Sequence, residues 1–224
     1  MTASFPDHKQ KVDSYTCGSS CIQNILEYYN IEKSLDTILK EIGVGEKEST
    51  HVPQLALYIK NLGFEAKILS SCPNNFSPDW KGESKDQQIL LIKKWITHNL
   101  NDIWLKDTLF LQYYLEAGGD FEQLDLSTKI IDKYLDQKYL VLACLDETWI
   151  WEKRKKANVA EYDSIVGHTN GHFVVVYDQD KDDYLISDPY PTNLPGKEGL
   201  YRVSKNKLLV SILIWAKQLI VLKK

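Results

Sequence analysis

Apolar residues recur at two different spacings along this chain, and the change of spacing divides it in two. Ile22, Ile25, Leu26 and Tyr29 recur at helical intervals and predict a first helix over about 18–29. Leu35, Ile38, Leu39 and Ile42 predict a second over about 35–42, with Ser34 as its cap. Leu55, Ala56, Ile59 and Leu62 predict a third over about 52–62, with Pro53 in its first turn and Gly63 as its stop. "FEAKIL" (64–69) alternates and reads as a strand, and 70–84 reads as loop. Further helical stripes cover 86–99, about 103–117 and 124–136, with "AGGD" (117–120) as a break.

Beyond residue 137 the period shortens towards two. "YLVLACL" (139–145), "HFVVVYD" (172–178), "YLISD" (184–188) and "QLIVL" (218–222) read as strands, and 146–170 as a long excursion. Helices early and strands late predict an α+β fold in one domain spanning 1–224. Its helical half, about 1–136, packs on an antiparallel sheet built from about 137–224.

Length and composition fit that reading. The chain has 224 residues, 43% hydrophobic and 26% charged, enough apolar material for a sizeable core. A net charge of −4 gives no global reason to expect a nucleic-acid partner or an anionic membrane surface. The basic run Lys153-Arg154-Lys155-Lys156 reads as a solvated loop. The start, "MTASFPDHKQ", has no apolar core of a signal peptide. The apolar run "LLVSILIWAKQLIVL" (208–222) is too short to span a bilayer and carries Lys217. Four cysteines without a secretion signal predict free thiols in a reducing, cytoplasmic setting.

Candidate chemistry begins at "DSYTCGSSCIQNILEYY" (13–29), where Cys17 stands at the mouth of the first helix. A helix N-terminus carries partial positive charge and unpaired N–H groups, which favour a thiolate and can receive an oxyanion. Gly18 behind it would let a substrate approach the backbone closely. The plain alternative is that Cys17 fills the core, as most free cysteines do. A nucleophilic thiol needs a base. Of five histidines, His8 and His98 sit in polar company, His51 leads into a helix, and His168 and His172 flank "TNG". His172 opens an alternating strand and shares a face with Val174 and Val176. A hairpin centred on Asp180 would pair Asp188 with His172, where the carboxylate could orient the imidazole. Cys17, Cys21, His168 and His172 have spacings that also suit a zinc site.

These segments resemble the papain-like cysteine peptidases of the bacteriocin-processing, double-glycine type, family thirty-nine, and above all their stand-alone soluble relatives. "KQKVDSYTCGSSCIQNIL" is similar to the family's nucleophile segment, "THVPQLALYIKNLGFEAKIL" to the helix and strand that follow it, "LDQKYLVLACLDE" to the strand before the histidine, and "NGHFVVVYDQDKDDYLISDPY" to the Gly-His strand, hairpin and Asp-Pro. The resemblance implies a papain-like fold and a thiol peptidase acting on a peptide or protein without a cofactor. In that reading Cys17 is the nucleophile, His172 the general base and acid, Asp188 the orienting group, and Gln10 an oxyanion donor beside the Cys17 amide. Gln10 lies seven residues before Cys17, where the family usually has six. The same residues would serve an acyl transferase, cyclase or transamidase, and the shape alone could serve a non-catalytic peptide-binding module. Tyr15, Trp149, Trp151 and Tyr190 are candidate cleft aromatics.

Overall fold

The computed structural model describes residues 4–156 and 161–224. The first three residues of the polar start, and 157–160 within the expected excursion, lie outside the described residues. Five helices precede most of the sheet: α1 (Cys17–Tyr28), α2 (Leu35–Ile42), α3 (Val52–Asn61), α4 (Lys85–His98) and α5 (Leu105–Glu116). They are joined by β1 (Glu65–Ser70), β2 (Asp120–Gln123) and α6 (Thr128–Asp136). Then follow β3 (Leu140–Asp146), α7 (Glu147–Trp151), β4 (Gly171–Gln179), β5 (Asp183–Asp188), β6 (Gly199–Ser204), α8 (Lys205–Ile214) and β7 (Gln218–Lys223).

The helix signals act where the sequence put them. Ser34 accepts from the Thr37 amide and starts α2. His51 and Gln54 form a reciprocal capping box at the start of α3. Gly43 and Gly63 take the left-handed conformation just past the ends of α2 and α3.

Among the described residues seven strands form one sheet in the order β2-β1-β7-β3-β4-β5-β6. The pairs are antiparallel except β1 with β2. The α+β class therefore stands, and two strands from the helical half extend the sheet beyond 137–224. β3 is buried along its whole length and reads as a continuous apolar run, as a strand covered on both faces must. On one face Leu142, Phe173, Val175 and Ile220 pack against Ile22, Ile25, Leu55 and Ile59 of α1 and α3. On the other, Val141, Val174, Ile186 and Val221 pack against Ile131 of α6 and Leu208 and Ile212 of α8. The run 208–222 divides into the end of α8, a turn with Lys217 at φ 57, and β7. No helix among the described residues is long and apolar enough to cross a membrane.

The β4–β5 register differs from the expected one. Val176 faces Ile186 and Val175 faces Ser187, and a bulge between Val176 and Asp178 shifts the pairing towards the turn. Asp188 is thus not directly opposite His172. The displacement is two residues, so side-chain parity survives and Asp188 stays on the face of His172 and Val174.

Candidate active site

Cys17 is the first residue of α1, after Thr16. The loop before it is tied down at both ends. Ser14 Oγ and Thr16 Oγ1 are 2.7 Å apart, and the Gln10 amide donates to the Pro189 carbonyl at 2.8 Å. That single backbone bond joins the nucleophile loop to the residue after Asp188. Asp13 turns the loop in a left-handed conformation, φ 53, and Gln10 and Cys17 line the same cleft of about 740 Å³. Gln10 Nε2 donates to the Ser14 carbonyl at 3.1 Å. An amide nitrogen carries two hydrogens, so one remains for another acceptor.

Gly18 does something other than the expected exposure of backbone to substrate. It is buried, and a Cβ there would lie 2.3 Å from Thr50 Oγ1 and 2.9 Å from Leu55 Cδ1. Glycine is needed so that α1 can seat closely on the segment leading into α3. Gly171 plays a comparable part: a Cβ there would lie 2.0 Å from Trp215 Nε1. The indole of Trp215 therefore lies against the backbone just before His172.

His172 is 2% exposed and Asp188 fully buried. His172 Nε2 lies 2.7 Å from Asp188 Oδ1, which assigns the proton to Nε2 and leaves Nδ1 for Cys17. The Asp188 carboxylate is saturated. Oδ1 also accepts the Tyr190 amide at 3.0 Å, and Oδ2 accepts the Tyr201 hydroxyl at 2.7 Å and Trp151 Nε1 at 3.2 Å. Burial on its own lowers an imidazole pKa. The Asp188 charge and hydrogen bond, with Cys17 as a further hydrogen-bond partner, outweigh burial and raise His172 from the ordinary 6.5 to about 10. Burial pushes the Asp188 carboxyl up, and the His172 charge with the hydrogen bonds from His172, Tyr190 and Tyr201 overcomes it and holds the group below its ordinary value.

The structure thus brings Cys17, His172, Asp188 and Gln10 to one end of the sheet. It does not assemble the four zinc ligands. Cys21 is buried, with Sγ donating to the Phe173 carbonyl at 3.2 Å, and His168 is exposed. Among the described residues no group of three or more His, Cys, Asp or Glu is placed to hold a metal ion. Cys144 is buried in β3, its thiol pushed well up by burial. Cys72, in the segment read as loop, is also buried, and burial raises it. Of the candidate aromatics, Tyr15 and Tyr190 line the cleft. Trp151 packs behind His172, with ring centroids 5.6 Å apart, and Trp149 lines a separate open pocket.

Sequence reasoning missed several cleft groups. Lys155, taken as part of a solvated run, is 7% exposed. Its Nζ lies 2.9 Å from buried Glu147 Oε1 and 4.0 Å from the centre of the Tyr190 ring. Burial pushes the Glu147 carboxyl up, against the pull of His172 and Lys155. His51 and Asp107 form a second pair on the cleft wall, Nδ1 to Oδ1 3.4 Å. A basic residue in an irregular excursion and an acid within a helix gave no periodic signal that either faced a cleft.

The Peptidase C39 family model matches residues 7–99, a span that holds Gln10 and Cys17 and stops before His172 and Asp188. No curated protein matches the sequence. Among solved structures, a protein of Bacillus anthracis described as a C39-like peptidase shares the fold. It is 14% identical, with 100% of this chain and 96% of that chain covered and a TM-score of 0.52. The peptidase domain of Streptococcus ComA, a bi-functional ABC transporter in a quorum-sensing pathway, is 13% identical over 98% of both chains, with a TM-score of 0.46. A double-glycine-motif protease from an AMS/PCAT transporter, solved with a leader peptide, is 14% identical over 99% of this chain and 92% of that one, with a TM-score of 0.45.

Proposed function

From this resemblance to the C39 peptidases, we propose that the chain is a single-domain cysteine peptidase that cleaves a peptide or amide bond through a thioester on Cys17. The observation that carries the reading is the buried His172–Asp188 pair, 2.7 Å apart, with Cys17 at the start of α1 in the same cleft. A histidine with a lone carboxylate could be a structural pair. One that also interacts with a half-exposed thiol at a helix N-terminus is equipped for acyl transfer.

In this reading the Cys17 proton already resides on His172 Nδ1 at neutral pH, in keeping with the raised His172 pKa. Asp188 holds the imidazolium through Nε2 and fixes the ring. The thiolate attacks the scissile carbonyl, and the carbon–nitrogen bond breaks as His172 returns its proton to the leaving amine. His172 then takes a proton from the incoming water, which hydrolyses the thioester. The Cys17 amide and the free Gln10 N–H receive the oxyanion. The substrate is a peptide or protein, and the four free cysteines fit work in the cytoplasm.

An electrophilic peptide probe tests the reading. It should label Cys17 in the unaltered protein, fail on Cys17→Ala, and slow by two or more orders of magnitude on His172→Ala, the scale of a lost acid–base group. Unchanged labelling in His172→Ala defeats the assignment.

A further inference from the structure

The cleft lined by Glu147 and Lys155 has a second buried carboxylate on its wall, with buried acceptor oxygens beside it. Asp107, on α5, is 6% exposed and lines the cleft. Its Oδ2 accepts from Asn75 Nδ2 and, at 3.3 Å, from Gln218 Nε2. Each amide gives an N–H to that oxygen through its nitrogen, and neither carbonyl oxygen takes part in the contact. Asn75 Oδ1 and Gln218 Oε1 are buried and have no hydrogen-bond partner. Gln218 is 2% exposed and lines the cleft. A buried acceptor left unmade is expensive, and here the free oxygen belongs to a residue of the cleft wall.

Among the described residues the charge also has no lysine or arginine partner. Glu147, the other buried cleft carboxylate, has Lys155 as its partner. Among the described residues, Asp107 has only His51 as an ion-pair partner, at 3.4 Å, longer than a charge-assisted hydrogen bond. Trp104 joins the same lining and adds an aromatic surface, which suits a cation. Burial, then Cys17, then Asp107 raise the Cys144 pKa, so Cys17 and Asp107 both stand within electrostatic reach of Cys144.

We propose that Asp107, Gln218 and His51 form a subsite for a cationic group of the substrate, an ammonium or guanidinium that donates to the Asp107 carboxylate and to Gln218 Oε1. This rests on the peptidase reading and names a preference for that site. The cation comes either from a lysine or arginine side chain near the scissile bond or from the amino terminus of a short peptide. The chemistry of recognition is the same for both.

The test uses peptidyl acyloxymethyl ketones that carry lysine, acetyl-lysine or norleucine at each of four positions, in capped and free-amine forms, with Cys17 labelling followed by mass spectrometry. At one position, lysine should label faster than acetyl-lysine and norleucine by roughly 10- to 100-fold, the range for hydrogen bonds to a charged group. A free-amine advantage of the same size, with no side-chain preference, assigns the subsite to the substrate's amino terminus. Asp107→Asn should reduce the ratio to about threefold or less, in keeping with the loss of the charged acceptor. Because Asp107 also holds Asn75 and Gln218, Gln218→Met supplies a milder variant, expected to reduce the ratio about fivefold by removing one neutral acceptor. Equal rates for charged and neutral probes overturn the subsite alone. Failure of every peptide probe, while iodoacetamide still alkylates Cys17, overturns the peptidase reading and the subsite with it.

Discussion

Asp188→Asn is the sharpest probe of how the imidazole is held. The carboxylate has two oxygens and four donors: His172 Nε2 and the Tyr190 amide on Oδ1, the Tyr201 hydroxyl and Trp151 Nε1 on Oδ2. Asparagine supplies one oxygen. With that oxygen on the His172 side, Nδ2 faces a hydroxyl that can rotate to accept and an indole N–H that cannot. Turned the other way, Nδ2 would face the backbone N–H of Tyr190, which has no freedom to turn, so the first orientation wins. The indole keeps a weaker partner in the Tyr201 hydroxyl at 3.3 Å. The cost should therefore fall towards the lower end of the roughly 1–3 kcal/mol for an unsatisfied buried donor. Trp151→Phe removes that donor. It also leaves space, but in both backgrounds, so the double-mutant cycle cancels that part. Urea unfolding at neutral pH, followed by circular dichroism, should show Trp151→Phe costing about 1 kcal/mol less in Asp188→Asn than in the unaltered protein, the scale of one neutral hydrogen bond. Probe labelling should slow in Asp188→Asn yet remain faster than in His172→Ala. An equal cost of Trp151→Phe in both backgrounds refutes the four-donor account. Labelling as slow as in His172→Ala refutes the view that Asp188 only orients.

Other outcomes follow from the same geometry. Limited iodoacetamide should alkylate Cys17 first, because Cys21, Cys72 and Cys144 are all buried; mass mapping that finds Cys72 first contradicts this. His172 has its pKa raised to about 10, so its contribution to stability is complete below about 6.5 and is lost as pH rises through about 10; urea midpoints should fall across that window in the native protein and less in His172→Gln. Gly171→Ala should displace the Trp215 indole and slow labelling about tenfold or more, on the scale of a small misplacement at a reacting centre, with partial recovery in Gly171→Ala/Trp215→Ala. His168→Ala changes an exposed residue and should leave labelling within about twofold, as surface changes away from the site usually do.

How much of this was legible in the sequence depends on which forces act locally. Helix starts and stops are local chemistry, and Ser34, His51, Gly43 and Gly63 act within a turn of where they stand. α2 was readable to the residue. β2 and β6 were missed because edge strands need little apolar patterning, and "DFEQ" and "GLYRVS" carry little. The run 208–222 could not be divided by period, since a buried helix and a buried strand are both continuously apolar. Its break lies at Lys217, whose left-handed backbone has no signal in a lysine.

The site divides along the same line. Cys17, His172 and Asp188 were recoverable because each sits at the end of an element whose type was already clear. The assumed register was wrong by two, and the conclusion survived because strand faces alternate with period two; an error of one would have turned Asp188 away. What fixes Asp188 was not recoverable. Trp151 comes from a five-residue helix after β3, Tyr201 from an edge strand after β5, and the Tyr190 amide from a loop. The Asp107 wall is harder still, because it joins α5 to β7 across 111 residues. A local pattern can show that a residue is buried, but only the closed sheet, which sets β7 between β1 and β3, shows that Gln218 is buried with its oxygen unpartnered. For this reason the proposed nucleophile and base could be read from short stretches, while the preference that would select a substrate depends on contacts that exist only after the two halves have packed.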